Sequence, residues 1–438
     1  MMRPNYLAKL GLSLWMALFA CAPAHAGIFD NVYRWVSGTP SQPAAAKPPA
    51  EPSVGQQGSG QQAGEGQGQR VQPSPESQPR QAAPVTAPAA SPTAAPTAAP
   101  RAETAPRSEA SLNPSLVYGD RMLTEDLVWR GEVLVEGALT VAPQATLTIE
   151  PGTVIHFRRK GGQAPLLVVQ GRVVATGTKE APVIFTSGFA TAAAGDWQGM
   201  MLLGTEKKNL LENCRIEGAQ TALEVLFSNV TLKNVLAERS QVGMRFQDAL
   251  LFMDGGGAHG CDTGLSLVES ESTLRNISVV GNRQGVVAKR SSIYLFEGNL
   301  SGNQTALSAD GSRLKIQGGA LLSNGSGVSL MACEGTVAGA KLANNREYGI
   351  SLTGSRMRVN GNRITGNGQN GLVVFDGASV VWDNAIYENA GYDLYNAGVE
   401  EFRAPGNWWG SSAPKIFDNN GRGKVLYSPV LGQWPQKQ

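Results

Sequence analysis

Histidine and paired cysteine are scarce in this chain. Only His25, His156 and His259 occur among 438 residues, and Cys21, Cys214, Cys261 and Cys333 form no CxxC pair. Zinc sites are assembled from closely spaced Cys and His ligands, so no structural metal is expected, and no motif implies a cofactor. Net charge is scarce too. Lys and Arg total 37 against 35 Asp and Glu, a formal +2 that supplies no field to gather nucleic acid or an anionic membrane. The apolar run Leu10 to Ala20 is too short to span a bilayer, so no transmembrane segment is expected in the mature chain.

What is present begins with an export signal. Arg3 and Lys9 give a positive start, and Ala24-His25-Ala26 is a small-x-small cleavage site before Gly27, so residues 1–26 read as a signal peptide. Leu18-Phe19-Ala20-Cys21 is similar to a lipoprotein box, whose use would instead lipidate Cys21, although Phe19 fits it badly. The mature protein is expected in the periplasm or at the surface of a bacterium. In residues 27–37, Ile28, Phe29, Val32, Tyr33 and Val36 share one face of a short helix. This segment reads as a docking peptide for an envelope partner, or as an unstructured terminus, since two or three turns are marginal alone. Residues 38–115 are Pro, Ala, Gln, Gly and Ser with scattered charge. They bury too little apolar surface to repay ordering, so a disordered tether is expected.

Residues 116–438 carry the fold. Asn282, Asn303, Asn324, Asn345, Asn367 and Asn389 recur at spacings of 21, 21, 21, 22 and 22. A small residue follows within four positions (Gly285, Ala306, Gly327, Gly349, Gly371), then an apolar-x-apolar pair such as Val328-Ser329-Leu330. A unit this short cannot bury a core alone, so neighbours must stack. The two-residue alternation belongs to strands, which makes each repeat one coil of an all-β solenoid of short parallel strands. The asparagines form a structural ladder, each amide able to bond the local backbone and the asparagines of adjacent coils, and the small residue is expected to permit a sharp corner. Met244, Phe246, Leu265, Leu267, Leu307, Leu330 and Leu352 point inward and fill the bore. Nine regular rows between Leu211 and Tyr395, with about three irregular ones before them, predict a rod of roughly 55–60 Å at ~4.8 Å per row.

The mature chain's three cysteines cannot all pair internally. Cys261 sits one period before Asn282, and all three read as small buried hydrophobes. At the far end, Trp408-Trp409 would cover the open bore and its unpaired edge, with a sugar-stacking platform as the functional alternative.

These features resemble the right-handed parallel β-helix repeat proteins of the pectate-lyase-like superfamily, in particular exported bacterial members related to carbohydrate-binding and sugar-hydrolase β-helix domains. The resemblance rests on Leu147 to Phe157, on the Asn/Gly ladder, and on Asn407-Trp408-Trp409-Gly410 with Tyr427-Ser428-Pro429. It implies the right-handed single-stranded β-helix over most of 116–438, but not an activity, because that scaffold carries lyases, hydrolases, epimerases and inert parts. The paired aspartates and Arg-Ile-Lys of its polygalacturonases are missing, as is the epimerases' Asp-Pro-His-Asp. Ala258-His259-Gly260 only approaches the hydrolases' Gly-His-Gly. Where the lyases cluster acids for calcium, the outward positions here read Glu224, Arg245, Ser266, Val287, Ser308, Ser329, Ser351 and Val373, a face without the carboxylates a hard cation needs.

Two candidate sites follow. His259, Asp254 and Asp262, with Arg245 one coil back and Lys289 one coil on, offer acid, imidazole and cations for proton abstraction on a uronate, or form a polar glycine-rich turn. Lys289 and Asp310, about one coil apart, also read as an exposed cross-coil ion pair. Ser266, Ser308, Ser329 and Ser351 offer a stacked hydroxyl array to a polysaccharide, or a solvated surface. The leading expectation is a non-catalytic exported protein whose flat strand face recognises a glycan or an envelope protein. A polysaccharide-active enzyme centred on His259 and a structural part of an envelope assembly are the alternatives.

Overall fold

A computed structural model of the protein describes residues 107–375, 378–410 and 413–434. The chain divides into two units, 1–96 and 97–438, and the described residues all lie in the second. The expected signal peptide, the 27–37 segment and residues 38–106 of the tether fall outside them. Every named strand pairs in parallel, in a right-handed solenoid of about 15 turns with no helix among the described residues.

One coil shows the plan. Gln284–Lys289 belongs to a 14-stranded sheet that forms one side of the solenoid. The chain then turns into Ser292–Phe296, bends, and continues as Asn299–Ser301, both in a 25-stranded sheet. A third corner returns it to the first sheet at Thr305–Asp310. The coil is thus three-sided, with a single-limbed sheet on one side and a two-limbed sheet folded around the other two.

Each corner is built from two adjacent residues. The first takes left-handed backbone angles, as at Gly281 (φ 68°), Gly302 (φ 65°) and Asn344 (φ 57°). The second is a short polar residue whose side chain reaches the next coil. Asn303 Oδ1 accepts the Asn282 backbone N–H at 2.9 Å and its Nδ2–H at 3.0 Å, while Asn282 Nδ2 also donates to Ala258 O at 3.0 Å. The pattern repeats through Asn324, Asn345, Asn367 and Asn389, all buried. Two further ladders occupy the other corners. Asn362, Asn384 and Asn407 follow the bend between the limbs. Ser270, Ser291 and Ser312 mark the corner after the 14-stranded sheet, where each hydroxyl accepts the N–H from the coil before.

The expected corner role of the small residues needs correcting. Gly285, Gly327 and Gly349 lie past the corner and have no left-handed φ. They are small because the next coil's backbone is close: a Cβ on Gly327 would stand 2.1 Å from Gly349 O. Room, not backbone freedom, selects them. Cys333 occupies the serine ladder, accepting no disulfide, and Cys214 and Cys261 are likewise free and buried. Burial pushes the Cys214 thiol up to about 12 and the Cys261 thiol to about 11.

The seven predicted bore residues, Met244 to Leu352, are all at most 1% exposed. The 14-stranded sheet holds four irregular rows before the nine regular ones, plus Ile416–Phe417 after them. Thirteen steps of ~4.8 Å give ~62 Å, slightly longer than the sequence suggests. Trp409 turns into the end of the bore, 3% exposed, while Trp408 packs on Tyr387 with ring centroids 5.0 Å apart. The former is a plug and is not available to stack on a sugar.

Candidate functional site

The outward side chains of the 14-stranded sheet line up because its pairing is in register from coil to coil. Glu224, Arg245, Ser266, Val287, Ser308, Ser329, Ser351 and Val373 form one continuous column. Ser308, Ser329 and Ser351 are consecutive and half-buried, and Ser266 is set apart from them by Val287. Three hydroxyls therefore stand ~4.8 Å apart along the axis, a real array but one shorter than four. At the N-terminal end Arg245 Nη1 donates to the nearly buried Glu224 Oε1 at 3.1 Å, so both charges are already used.

Beyond Ser351 the same column continues as Val373, Tyr395 and Phe417. The Tyr395 and Phe417 rings stack at 4.4 Å and 8°, and Tyr392, 38% exposed, leans on both at 5.5 Å. This aromatic end escaped the sequence reading. Its signal is the spacing of 22 that carries Val373 to Tyr395 and Tyr395 to Phe417. Hydroxyls followed by stacked rings set hydrogen-bonding groups beside an apolar surface, the two kinds of contact a sugar offers.

The catalytic constellation disperses. Arg245 and Lys289 stand on the 14-stranded sheet in different columns, two coils apart. Lys289 and Asp310 are register partners on that sheet. Asp254 lies on the first limb of the other sheet, between Lys233 and Arg275 in register, and accepts from Asn276 Nδ2 at 3.0 Å. His259 is on the second limb, and its Nε2 shares a hydrogen bond with Ser278 Oγ at 3.1 Å. Asp262 sits in the turn that follows. The chain's three-sided winding separates residues that are close in sequence, so five polar groups end on different sides of the rod.

A different group gathers beside His259. Glu217, Glu238 and His259 are register neighbours on successive coils of the second limb. Arg215 spans both carboxylates, at 3.0 Å to Glu217 and 2.5 Å to Glu238, Arg239 also pairs with Glu217, and Thr186 donates to Glu217 at 2.7 Å. With guanidinium groups on both acids, neither is free to act as a base. The cluster reads as a network tying coils together. Among the described residues no three His, Cys, Asp or Glu side chains converge as a metal-binding group. None of these residues forms a helix long and apolar enough to cross a membrane.

Two family models match the winding. A Pectate-lyase like beta helix domain model matches residues 122–230, and a Right handed beta helix region model matches residues 263–407. No curated protein matches the chain. Among solved structures, a periplasmic alginate epimerase is 14% identical over 70% of this chain and 78% of its own, with a TM-score of 0.34. The A-module of an Azotobacter vinelandii mannuronan C-5 epimerase is 15% identical over 69% and 91%, with a TM-score of 0.36. An alginate lyase from Paenibacillus sp. is 16% identical over 66% and 93%, with a TM-score of 0.31. Likenesses this distant carry nothing about ligand or chemistry.

Proposed function

The chain belongs to the right-handed parallel β-helix superfamily, and from that premise we propose that it is an exported recognition protein that holds a glycan on its 14-stranded sheet without chemically altering it. The observation that supports this reading is the column Ser308, Ser329, Ser351, Val373, Tyr395, Phe417, hydroxyls leading to stacked rings, in a column whose charged members, Glu224 and Arg245, are bonded to each other. Glycoside hydrolysis needs two carboxylates flanking one bond, and proton abstraction needs a base beside the reacting carbon. Among the described residues, Arg245, Asp254, His259, Asp262 and Lys289 are spread over different sides, and Glu217, Glu224 and Glu238 are held in ion pairs.

Affinity electrophoresis of the purified chain, in gels cast with a panel of neutral and acidic bacterial and plant polysaccharides, tests it. Retardation by one polymer, weakened by Tyr395→Ala and without release of reducing ends or unsaturated products, is the expected result. Turnover that vanishes in His259→Ala would replace this reading with the enzyme one. Retardation by none would retire glycan recognition in favour of a protein partner, for which residues 27–37 are the natural anchor.

A further inference from the structure

A net charge of +2 conceals a sharp division along the two-limbed sheet. In its strands between Asn209 and Ser301, three cations (Arg215, Lys233, Arg275) face five acids (Glu212, Glu217, Glu238, Asp254, Glu271). In its strands between Arg313 and Arg403, seven cations face one acid, Glu334. The same coils of the 14-stranded sheet carry no cation and one acid, Asp310.

Pairing changes with composition. In the earlier coils Arg215 meets Glu217 and Glu238, and Lys233 meets Glu212. In the later coils Arg313 takes Glu334, and Arg363 donates to the Tyr387 hydroxyl. Lys315, Lys341, Arg356, Arg358 and Arg403 are exposed and have no ion pair among the described residues. Lys341 and Arg363 are direct register neighbours, an unfavourable like-charge contact, and Glu334, between Arg313 and Arg356, is the one acid in these strands to alternate with cations as acids do in the earlier coils. Between the limbs runs a groove of about 600 Å³. Its floor is glycine at Gly298, Gly319, Gly339 and Gly361; the one acid on it, Glu297, accepts from the Gly319 N–H at 3.1 Å at one end, and Lys341, Arg363 and Trp434 stand along the rest.

We infer that this corner of the later coils binds an acidic polysaccharide laid along the solenoid axis, on a surface separate from the 14-stranded sheet. On the first limb the cations recur at every second coil, Lys315, Arg358 and Arg403 forming one column with Thr336 and Val380 between them, while on the second limb Lys341 stands directly before Arg363; the set covers four coil steps or ~19 Å from Arg313 to Arg403. One coil step is about one sugar unit, so the first-limb cations on alternate coils meet acidic groups on alternate sugars. Five unpaired cations over that length are sparse beside duplex DNA, which carries one charge per ~1.7 Å, and suit a polymer with at most one charge per unit. The floor from Gly339 to Gly361, past Glu297, admits the flat chain while Lys341 and Arg363 reach its acidic groups.

The full chain, run in gels containing polygalacturonate, hyaluronate or dextran, supplies the test, with K341E/R356E/R358E and Tyr395→Ala alongside. All three changed cations are exposed, and an unchanged circular dichroism spectrum reports an intact fold. Retardation by the acidic polymers that fades with salt, falls about 10-fold or more in the triple variant, and persists in Tyr395→Ala is expected. No retardation by either acidic polymer at low salt, or equal retardation of the triple variant, overturns the inference. Loss in Tyr395→Ala alone would move acidic-glycan binding to the 14-stranded sheet. Tighter capture of single-stranded DNA than of either polysaccharide would show the ligand class to be wrong.

Discussion

The entry coils and the ladder coils reach the same cross-section by different means. Between residues 116 and 203 the bore is filled by large rings: Trp129, Phe157, Phe185 and Trp197 are all at most 1% exposed. Phe157 and Trp197 stack at 3.8 Å, Trp129 donates to Tyr118 Oη at 3.2 Å, and Trp197 to Glu217 O at 2.9 Å. Long turns here are pinned individually. Even Arg107 and Glu109, at the end of the stretch expected to be tether, reach Asp196 and Phe189. From Asn282 onward the bore holds mostly Leu, Ile, Val and Ala, and order is kept by buried amides and hydroxyls at the corners. Irregular coils cannot share a ladder, because a ladder needs equal repeat lengths. They rely on bulk instead. The regular coils give up bulk and gain a hydrogen-bonded corner repeated at every row.

Three experiments sharpen or break this contrast. Trp197→Ala should cost about 3–5 kcal/mol in denaturant unfolding, since it removes a fully buried ring and orphans its stacking partner. A loss below about 1 kcal/mol would mean that the entry coils do not depend on ring packing. Asn324→Ala should cost about 3 kcal/mol, leaving Leu300 O and the Asn303 N–H without their partners in a dry corner. Hydrogen exchange at the Asn303 amide should accelerate with it. Unchanged exchange there would show that water replaces the ladder. The smallest effect concerns pH. Hydrogen bonds from Arg158 and Lys160, at 2.6 and 3.1 Å, hold the Glu136 carboxyl below its usual value of 4.5. Its contribution is therefore present above the unfolded value and fades as pH falls through the lower folded one. The ladder groups carry no such proton, so as pH falls below the ordinary carboxyl range the entry coils should exchange faster than the ladder coils. Uniform exchange across both regions would contradict the distinction.

Much of the winding was legible because its cause is periodic. Equal spacing of the asparagines forces equal coils, and alternation chooses the bore residues, so Glu224 to Val373 line up as their numbers imply. The second ladder was equally periodic, Asn362 to Asn384 at 22 and on to Asn407 at 23, but three members hide among many other asparagines. The serine ladder was masked by a second set of serines, those of the outward column. Site geometry was less legible. Arg245, Asp254 and His259 are close in sequence, yet a three-sided coil sends neighbours to different sides every few residues. Charge segregation was hidden for a simpler reason: a sum over the whole chain cancels Glu212 and Glu271 against Arg356 and Arg358, which never meet.

The three corner ladders also make length an independent variable. Each coil presents the same docking surface above and below, so the cross-section is indifferent to how many coils are stacked. Duplicating one 21-residue segment of the regular region, such as 303–323, would lengthen the rod by ~4.8 Å and add one rung to each column without disturbing the rest. A protein built this way can be cut to measure, its reach altered by gene duplication while its grip stays the same.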